Sequence, residues 1–163
     1  MAERTRVGIG LDFHRLRQGE SLILGGVEYE HDAGTVAHSD GDVLVHAICD
    51  AILGAAALGD IGSHFPDDDP AYEGVSSLKL LEKVMEKVTS RGYELENVDS
   101  TLMIQEPKLG KGREKMVETL KEVIDAPVNV KATTTEKLGF IGRGEGVGAQ
   151  AVATLVSMVD KGG

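Results

Sequence analysis

Between Asp42 and Leu58 the chain is apolar almost without interruption, rich in Ala and Leu. Ser39 and Asp40 precede the run as candidate N-caps and Gly59 ends it, so the pattern predicts a helix. Its apolar residues run nearly all the way round, which leaves no face for water, so the rest of the chain must enclose it. Strand signals supply the cover. Residues 6–13 alternate, and Leu22 to Leu24 with Val27 to Tyr29 bracket Gly25-Gly26 as a hairpin. Strands are also expected over Val98 to Ile104 and Val128 to Ala132. The segment Val147 to Val159 is ambiguous by pattern, and its β-branched content and glycine-rich approach favour a strand. Two amphipathic helices remain. Ser76 to Arg91 carries Leu78, Leu81, Val84, Met85 and Val88 on one face, and a second holds Met116, Val117, Leu120, Val123 and Ile124 before Pro127. With no repeat or linker, the expectation is one α+β domain over residues 1–163, a mixed β-sheet with helices packed on one side.

A chain of 163 residues can bury a core without a structural metal or disulfide. Apolar runs are too short to span a membrane, and the mixed-charge start has no signal-peptide core, so cytoplasmic residence is expected. Cys49, the single cysteine, sits among apolar neighbours as a buried small hydrophobe. The formal charge of -10 argues against nucleic acid or an anionic membrane as partner. It also opposes any phosphorylated substrate unless divalent cations invert the local field, which makes metal ligands the residues to seek.

Asp12 and His14, two apart in a strand, point to the same side. His46, one of few polar groups in the apolar helix, is a third ligand, and Asp50 at i+4 could hold its imidazole. Asp plus two His with an open position suits a catalytic zinc. By pattern alone an Asp-x-His at a strand end is more often a turn cap with a surface histidine, and a single core histidine is more often merely hydrogen-bonded.

Other clusters have structural and chemical readings side by side. In Ala37 to Asp42 the carboxylates read as helix caps, whereas His38 beside a helix N-terminus could bind a phosphoryl oxygen. Asp67, Asp68 and Asp69 lack the spacing of a calcium loop and read as a solvated turn before Pro70, while Asp60, between glycines, could accept from polyol hydroxyls. Thr133, Thr134, Thr135 and Glu136, ahead of the glycine-rich stretch to Gly146, offer hydroxyls, a carboxylate and open backbone N–H groups to a diphosphate; the alternative is a strand ending in a loop. Gly8-x-Gly10 lacks the third glycine of a dinucleotide fingerprint.

Taken together, Asp12-x-His14, the stretch Ala37 to Asp42 with His46, the run Gly54 to Gly62, and Lys131 to Arg143 closely resemble the cyclodiphosphate synthase family of the non-mevalonate isoprenoid pathway. The resemblance covers nearly the whole chain. It implies a homotrimer with active sites between subunits, in which Asp12, His14 and His46 bind Zn²⁺ and Glu136 carries a second cation, Mg²⁺ or Mn²⁺. It implies that His38 and Thr134 stabilise the transition state. Ser39, Asp60, Ile61 and Gly62, with Phe65, Pro66, Asp67, Asp68 and Asp69, would hold the erythritol phosphate. Ile104, Gln105, Glu106, Pro107 and Lys108 would border the cytidine pocket with Thr133, and Thr135, Phe140 and Arg143 would complete the contacts. Glu106 departs from the family's pattern. The implied reaction converts 4-diphosphocytidyl-2-C-methyl-D-erythritol 2-phosphate to the 2,4-cyclodiphosphate and CMP. A zinc phosphohydrolase with a metal-bound water, and a binder of isoprenoid diphosphate in a trimer cavity, are the competing readings.

Overall fold

The structure is a computed structural model that describes residues 4–157. In chain order the elements are β1 (Thr5–Gln18), β2 (Leu22–Leu24), β3 (Val27–Tyr29), β4 (Ala33–Thr35), α1 (Val43–Ala55), α2 (Ile61–His64), a 3₁₀ turn (Pro70–Tyr72), α3 (Ser77–Ser90), β5 (Tyr93–Met103), α4 (Gly112–Lys121), β6 (Val128–Thr133), α5 (Gly139–Gly142) and β7 (Gly146–Ser157). Among the described residues β4-β1-β7-β5-β6 form one mixed sheet, with only β5 and β6 parallel, and β2-β3 form a separate hairpin. The expected strand at the C-terminal end is present through Ser157; Met158 and Val159 lie outside the described residues.

Helix α1 is the centre of the core, with Leu44, Ile48, Ile52 and Leu53 without solvent contact. Each such side chain contributes about 1.5–3 kcal/mol by leaving water. Cys49 is buried among them, and burial pushes its thiol well above the ordinary range. The helix lies against the sheet at very short range because β1 presents glycine there. A Cβ on Gly8 would fall 2.0 Å from the Ala51 carbonyl oxygen, and one on Gly10 1.9 Å from that of Ala47. Gly8-x-Gly10 is therefore a helix-docking strip, and Ala151 and Ala153 continue it on β7 in register.

The other face of the sheet is open. Val7, Ile9, Leu11 and Phe13 alternate with the glycines and are 64, 57, 51 and 51% exposed. Val152, paired with Ile9, extends this apolar stripe onto β7.

Several boundaries differ from the pattern-based expectation. The N-cap of α1 is Asp42, not Ser39 or Asp40, and its carboxylate accepts from Val45 N. The same carboxylate accepts from Gly25 N and Gly26 N, tying the β2-β3 turn to the helix start. Both turn glycines have positive φ, as a two-residue hairpin turn requires. Helix α1 ends at Ala55 rather than at Gly59. Ala57 takes the left-handed conformation (φ 57°), with Ala57 N donating to Gly54 O and Leu58 N to Leu53 O, a Schellman motif built on alanine. On α3 the buried set is Ser77, Leu80, Leu81, Val84 and Val88, while Leu78 and Met85 are half-buried. Val123 and Ile124 fall beyond α4.

Candidate functional site

Even-numbered positions of β1 face α1, so Asp12 and His14 extend the row of Gly8 and Gly10 towards the N-terminal end of the helix. There they meet His46. Asp12 Oδ2 lies 2.8 Å from His14 Nε2 and 3.1 Å from His46 Nδ1, and the two imidazole nitrogens are 3.2 Å apart. Ligand atoms on a tetrahedral zinc stand about 3.3 Å apart for metal–nitrogen bonds of about 2.0–2.1 Å. The three donors are thus gathered at nearly the separation that Zn²⁺ demands, from a donor set that suits it. His46 is buried, and Asp12 and His14 are partly exposed on the side where a fourth ligand would enter.

Electrostatics fit the same reading. Burial opposes the charge on Asp12, but hydrogen bonds and charges from His14 and His46 outweigh it and hold the carboxyl at about 2. Burial likewise opposes a charged His46, yet Asp12, with Asp42 and Asp40 behind it, raises its pKa. The cluster keeps its carboxylate ionised and concentrates negative charge around the imidazole, as a cation site should.

Asp50 does not hold His46. It accepts from Ile61 N at 2.8 Å and so pins α2 to α1. The Nε2 of His46 instead lies 2.8 Å from Ser77 Oγ and 3.2 Å from Ser39 Oγ. Asp40, expected as a cap of α1, accepts from Ser77 N at 2.9 Å and thereby caps α3. The sequence marks Ser77 only through the serine doublet at the start of α3, in which Ser76, the N-cap by position, makes no side-chain cap bond.

A cleft of about 330 Å³ opens beside the cluster, lined by Asp12, His14, His46, His38, Ser39, Ile61, Gly62, Phe65 and Asp67 among others. His38 Nε2 makes a long hydrogen bond to Asp69 O at 3.3 Å. Asp60 caps α2, accepting Ser63 N and Ser63 Oγ on one oxygen, and these bonds lower its pKa. Pro66 and Asp68 are exposed, and Asp69 caps the following 3₁₀ turn.

The remaining expected residues lie elsewhere in the chain. Thr133 stands in register with Met103, Gly148 and Phe13 across the sheet, three strand spacings or roughly 14 Å from β1. Glu136 and Lys137 both adopt left-handed φ (54° and 65°), a conformation side chains disfavour. Thr134 Oγ1 accepts from Glu136 N, and Lys137 N donates to Gln105 Oε1. Thr135 Oγ1 donates to Leu138 O. Gln105, Glu106, Lys137 and Arg143 line a second concavity of about 430 Å³ with His31 and Asp32. Arg143 is paired with Glu145. Phe140 packs edge-on to Phe13, their centroids 6.1 Å apart. Ile104 is buried in the core, and Pro107 and Lys108 follow in the loop before α4.

Comparison with known proteins converges on one family. The model of the YgbB family matches residues 5–156. A 2-C-methyl-D-erythritol 2,4-cyclodiphosphate synthase of Agathobacter rectalis is 53% identical over 95% of this chain and 89% of its own. One of Porphyromonas gingivalis is 54% identical over 98% of this chain and all of its own. Among solved structures, the bifunctional IspDF of Campylobacter jejuni superimposes with a TM-score of 0.92 at 42% identity, covering 96% of this chain and 43% of the larger protein. A CDP-bound 2C-methyl-D-erythritol-2,4-cyclodiphosphate synthase gives 0.85 at 38% identity, over 92% of this chain and 99% of its own. No helix among the described residues is long and apolar enough to cross a membrane.

Proposed function

The chain belongs to the YgbB family, and its relatives are named as 2-C-methyl-D-erythritol 2,4-cyclodiphosphate synthases; from that premise we propose a metal-dependent, CMP-releasing cyclisation of isoprenoid biosynthesis carried out in the cytoplasm. The substrate is 4-diphosphocytidyl-2-C-methyl-D-erythritol 2-phosphate and the product its 2,4-cyclodiphosphate. The observation that carries the reading is the Asp12-His14-His46 cluster, gathered at zinc-like spacing on the wall of a cleft.

Asp12, His14 and His46 would hold Zn²⁺, and Glu136 would hold Mg²⁺ or Mn²⁺. Bound there, the two cations supply charge neutralisation and orientation at the diphosphate. The chain's own residues position the rest. The 2-phosphate attacks the β-phosphorus of the same molecule as the bond from that phosphorus to the bridging oxygen breaks and CMP leaves with that oxygen, so no protein nucleophile is needed, and holding the substrate folded removes most of the entropic barrier. His38 exchanges its long bond to the Asp69 carbonyl for a stronger one to an anionic phosphoryl oxygen. Thr134 Oγ1 already accepts Glu136 N, so its proton is available to a phosphate. Ser39, Ile61, Gly62 and the segment Phe65 to Asp69, with Asp60 at its base, enclose the erythritol phosphate and keep water from the β-phosphorus. Ile104 to Lys108, Thr133, Thr135, Phe140 and Arg143 complete the cytidine side.

The assembly is a homotrimer with each site shared between neighbours. Two observations support it: the apolar stripe Val7, Ile9, Leu11, Phe13 is left uncovered, and Thr133 is on the order of 14 Å from the β1 row within one chain. The proposal is tested by following CMP release from protein stripped of metal and then reloaded. Turnover should require both Zn²⁺ and Mg²⁺ or Mn²⁺; release of CMP at the full rate by stripped protein would contradict it.

A further inference from the structure

The buried ring nitrogen of His46 ends a short chain of polar groups that the reaction itself does not use. Ser77, in the first turn of α3, has no solvent exposure. Its hydroxyl touches both His46 Nε2, at 2.8 Å, and Asp40 Oδ1, while its backbone N–H donates to Asp40 Oδ2 at 2.9 Å. Asp40 accepts through both oxygens, Oδ2 from Ser77 N and Oδ1 from Asp42 N and the Ser77 hydroxyl, so that hydroxyl proton is committed to Asp40 and the oxygen turns its lone pairs to the imidazole. His46 Nε2 must then be the donor. In the neutral ring that a metal requires, the lone pair is then left on Nδ1, the atom that faces Asp12 Oδ2 at 3.1 Å and His14 Nε2 at 3.2 Å.

We propose that Asp40 and Ser77 form a positioning relay that fixes the tautomer and orientation of His46 for zinc. The three groups come from the loop before α1, the start of α3 and the interior of α1, so docking α3 on α1 completes the metal site. Ser39, 3.2 Å from the same nitrogen and on the cleft wall, is the weaker acceptor. The assignment rests on reading Asp12, His14 and His46 as zinc ligands.

Zinc affinity measured by chelator competition on Ser77→Ala, Asp40→Asn and the double variant, beside urea unfolding of the metal-free proteins, tests the relay. Wild type should take up one tightly held Zn²⁺ per chain; failure of that uptake sinks the zinc reading itself and is distinct from failure of the relay. Ser77→Ala should weaken zinc binding about 10–100-fold, as loss of a partner behind a ligand does. Asp40→Asn should weaken it too, because an amide can donate to Ser77 Oγ and reverse the relay, yet it should add little in the Ser77→Ala background. Unchanged zinc affinity in Ser77→Ala, with only lower stability of the metal-free protein, would make Ser77 merely structural. Equal losses from Asp40→Asn in both backgrounds would reduce Asp40 to a distant charge and overturn the relay. Should Ser77→Ala fail to fold, ¹⁵N NMR of the zinc-loaded wild type decides: a proton on His46 Nε2 supports the relay, and a proton on Nδ1 contradicts it.

Discussion

His46 Nδ1 stands 3.1 Å from Asp12 Oδ2, although one residue belongs to a helix and the other to a strand 34 positions earlier. What brings them together is missing side chains, at Gly8 and Gly10, on the same face of β1. Their bare Cα atoms let α1 settle against the strand, and the helix carries His46 to the end of that row.

Gly10→Ala should therefore damage the Asp12-His14-His46 cluster without touching any of its three residues. The new Cβ would lie 1.9 Å from the Ala47 carbonyl oxygen, so α1 must shift. The expected result is a loss of about 3 kcal/mol in stability, as for an overpacked core, together with weaker zinc binding, read by urea unfolding and zinc titration. Wild-type values for both would show that the close approach is not required.

Ala57→Gly should work in the opposite direction. Ala57 holds the left-handed position that ends α1, where glycine avoids the Cβ penalty. The variant should gain about 0.5–1 kcal/mol in the unfolding free energy of metal-free protein. A loss of stability would contradict the Schellman assignment.

Asp42 predicts a pH dependence. Burial raises its pKa, the Gly26 N–H bond opposes this, and the Asp40 charge adds to the rise, to about 6 from 3.8. A raised folded-state pKa means the native protein binds this proton more tightly than the unfolded chain does. Asp42's contribution is then fully present below about pH 3.8 and lost as pH rises through about 6. Asp42→Asn cannot titrate. The unfolding free energy of metal-free wild type minus that of the variant should fall between pH 4 and pH 7, and a constant or rising difference would disprove the shift.

Ile9→Asp tests the open face of the sheet. A charge in the middle of the stripe Val7, Ile9, Leu11, Phe13 should convert the proposed trimer to monomers, seen by light scattering, while the fold persists by circular dichroism. An unchanged mass would mean that this face is not the interface.

Much of this was legible in the sequence for local reasons. The Gly25-Gly26 pair announces the hairpin, and strand parity alone places Asp12 and His14 on one side. The all-round apolarity of residues 42–58 requires a buried helix, which α1 is. Less legible were features set by chain path. Asp50 satisfies the i+4 rule to His46, yet its carboxylate turns to Ile61 N, and the actual partner, Ser77, arrives from another helix. Asp40 has the composition of a cap for α1 but caps α3, because the loop carries it there. Nor does alternation in residues 6–13 reveal which face is covered: the glycines meet the helix, and the large apolar side chains point away from it.

Cyclisation at a zinc site built on His46 can be followed by phosphorus NMR of the products formed from 4-diphosphocytidyl-2-C-methyl-D-erythritol 2-phosphate by metal-loaded wild type and by His46→Ala. The wild type should give 2,4-cyclodiphosphate with CMP, and the variant neither. Linear phosphates from the wild type, or cyclic product at an undiminished rate from His46→Ala, would contradict it.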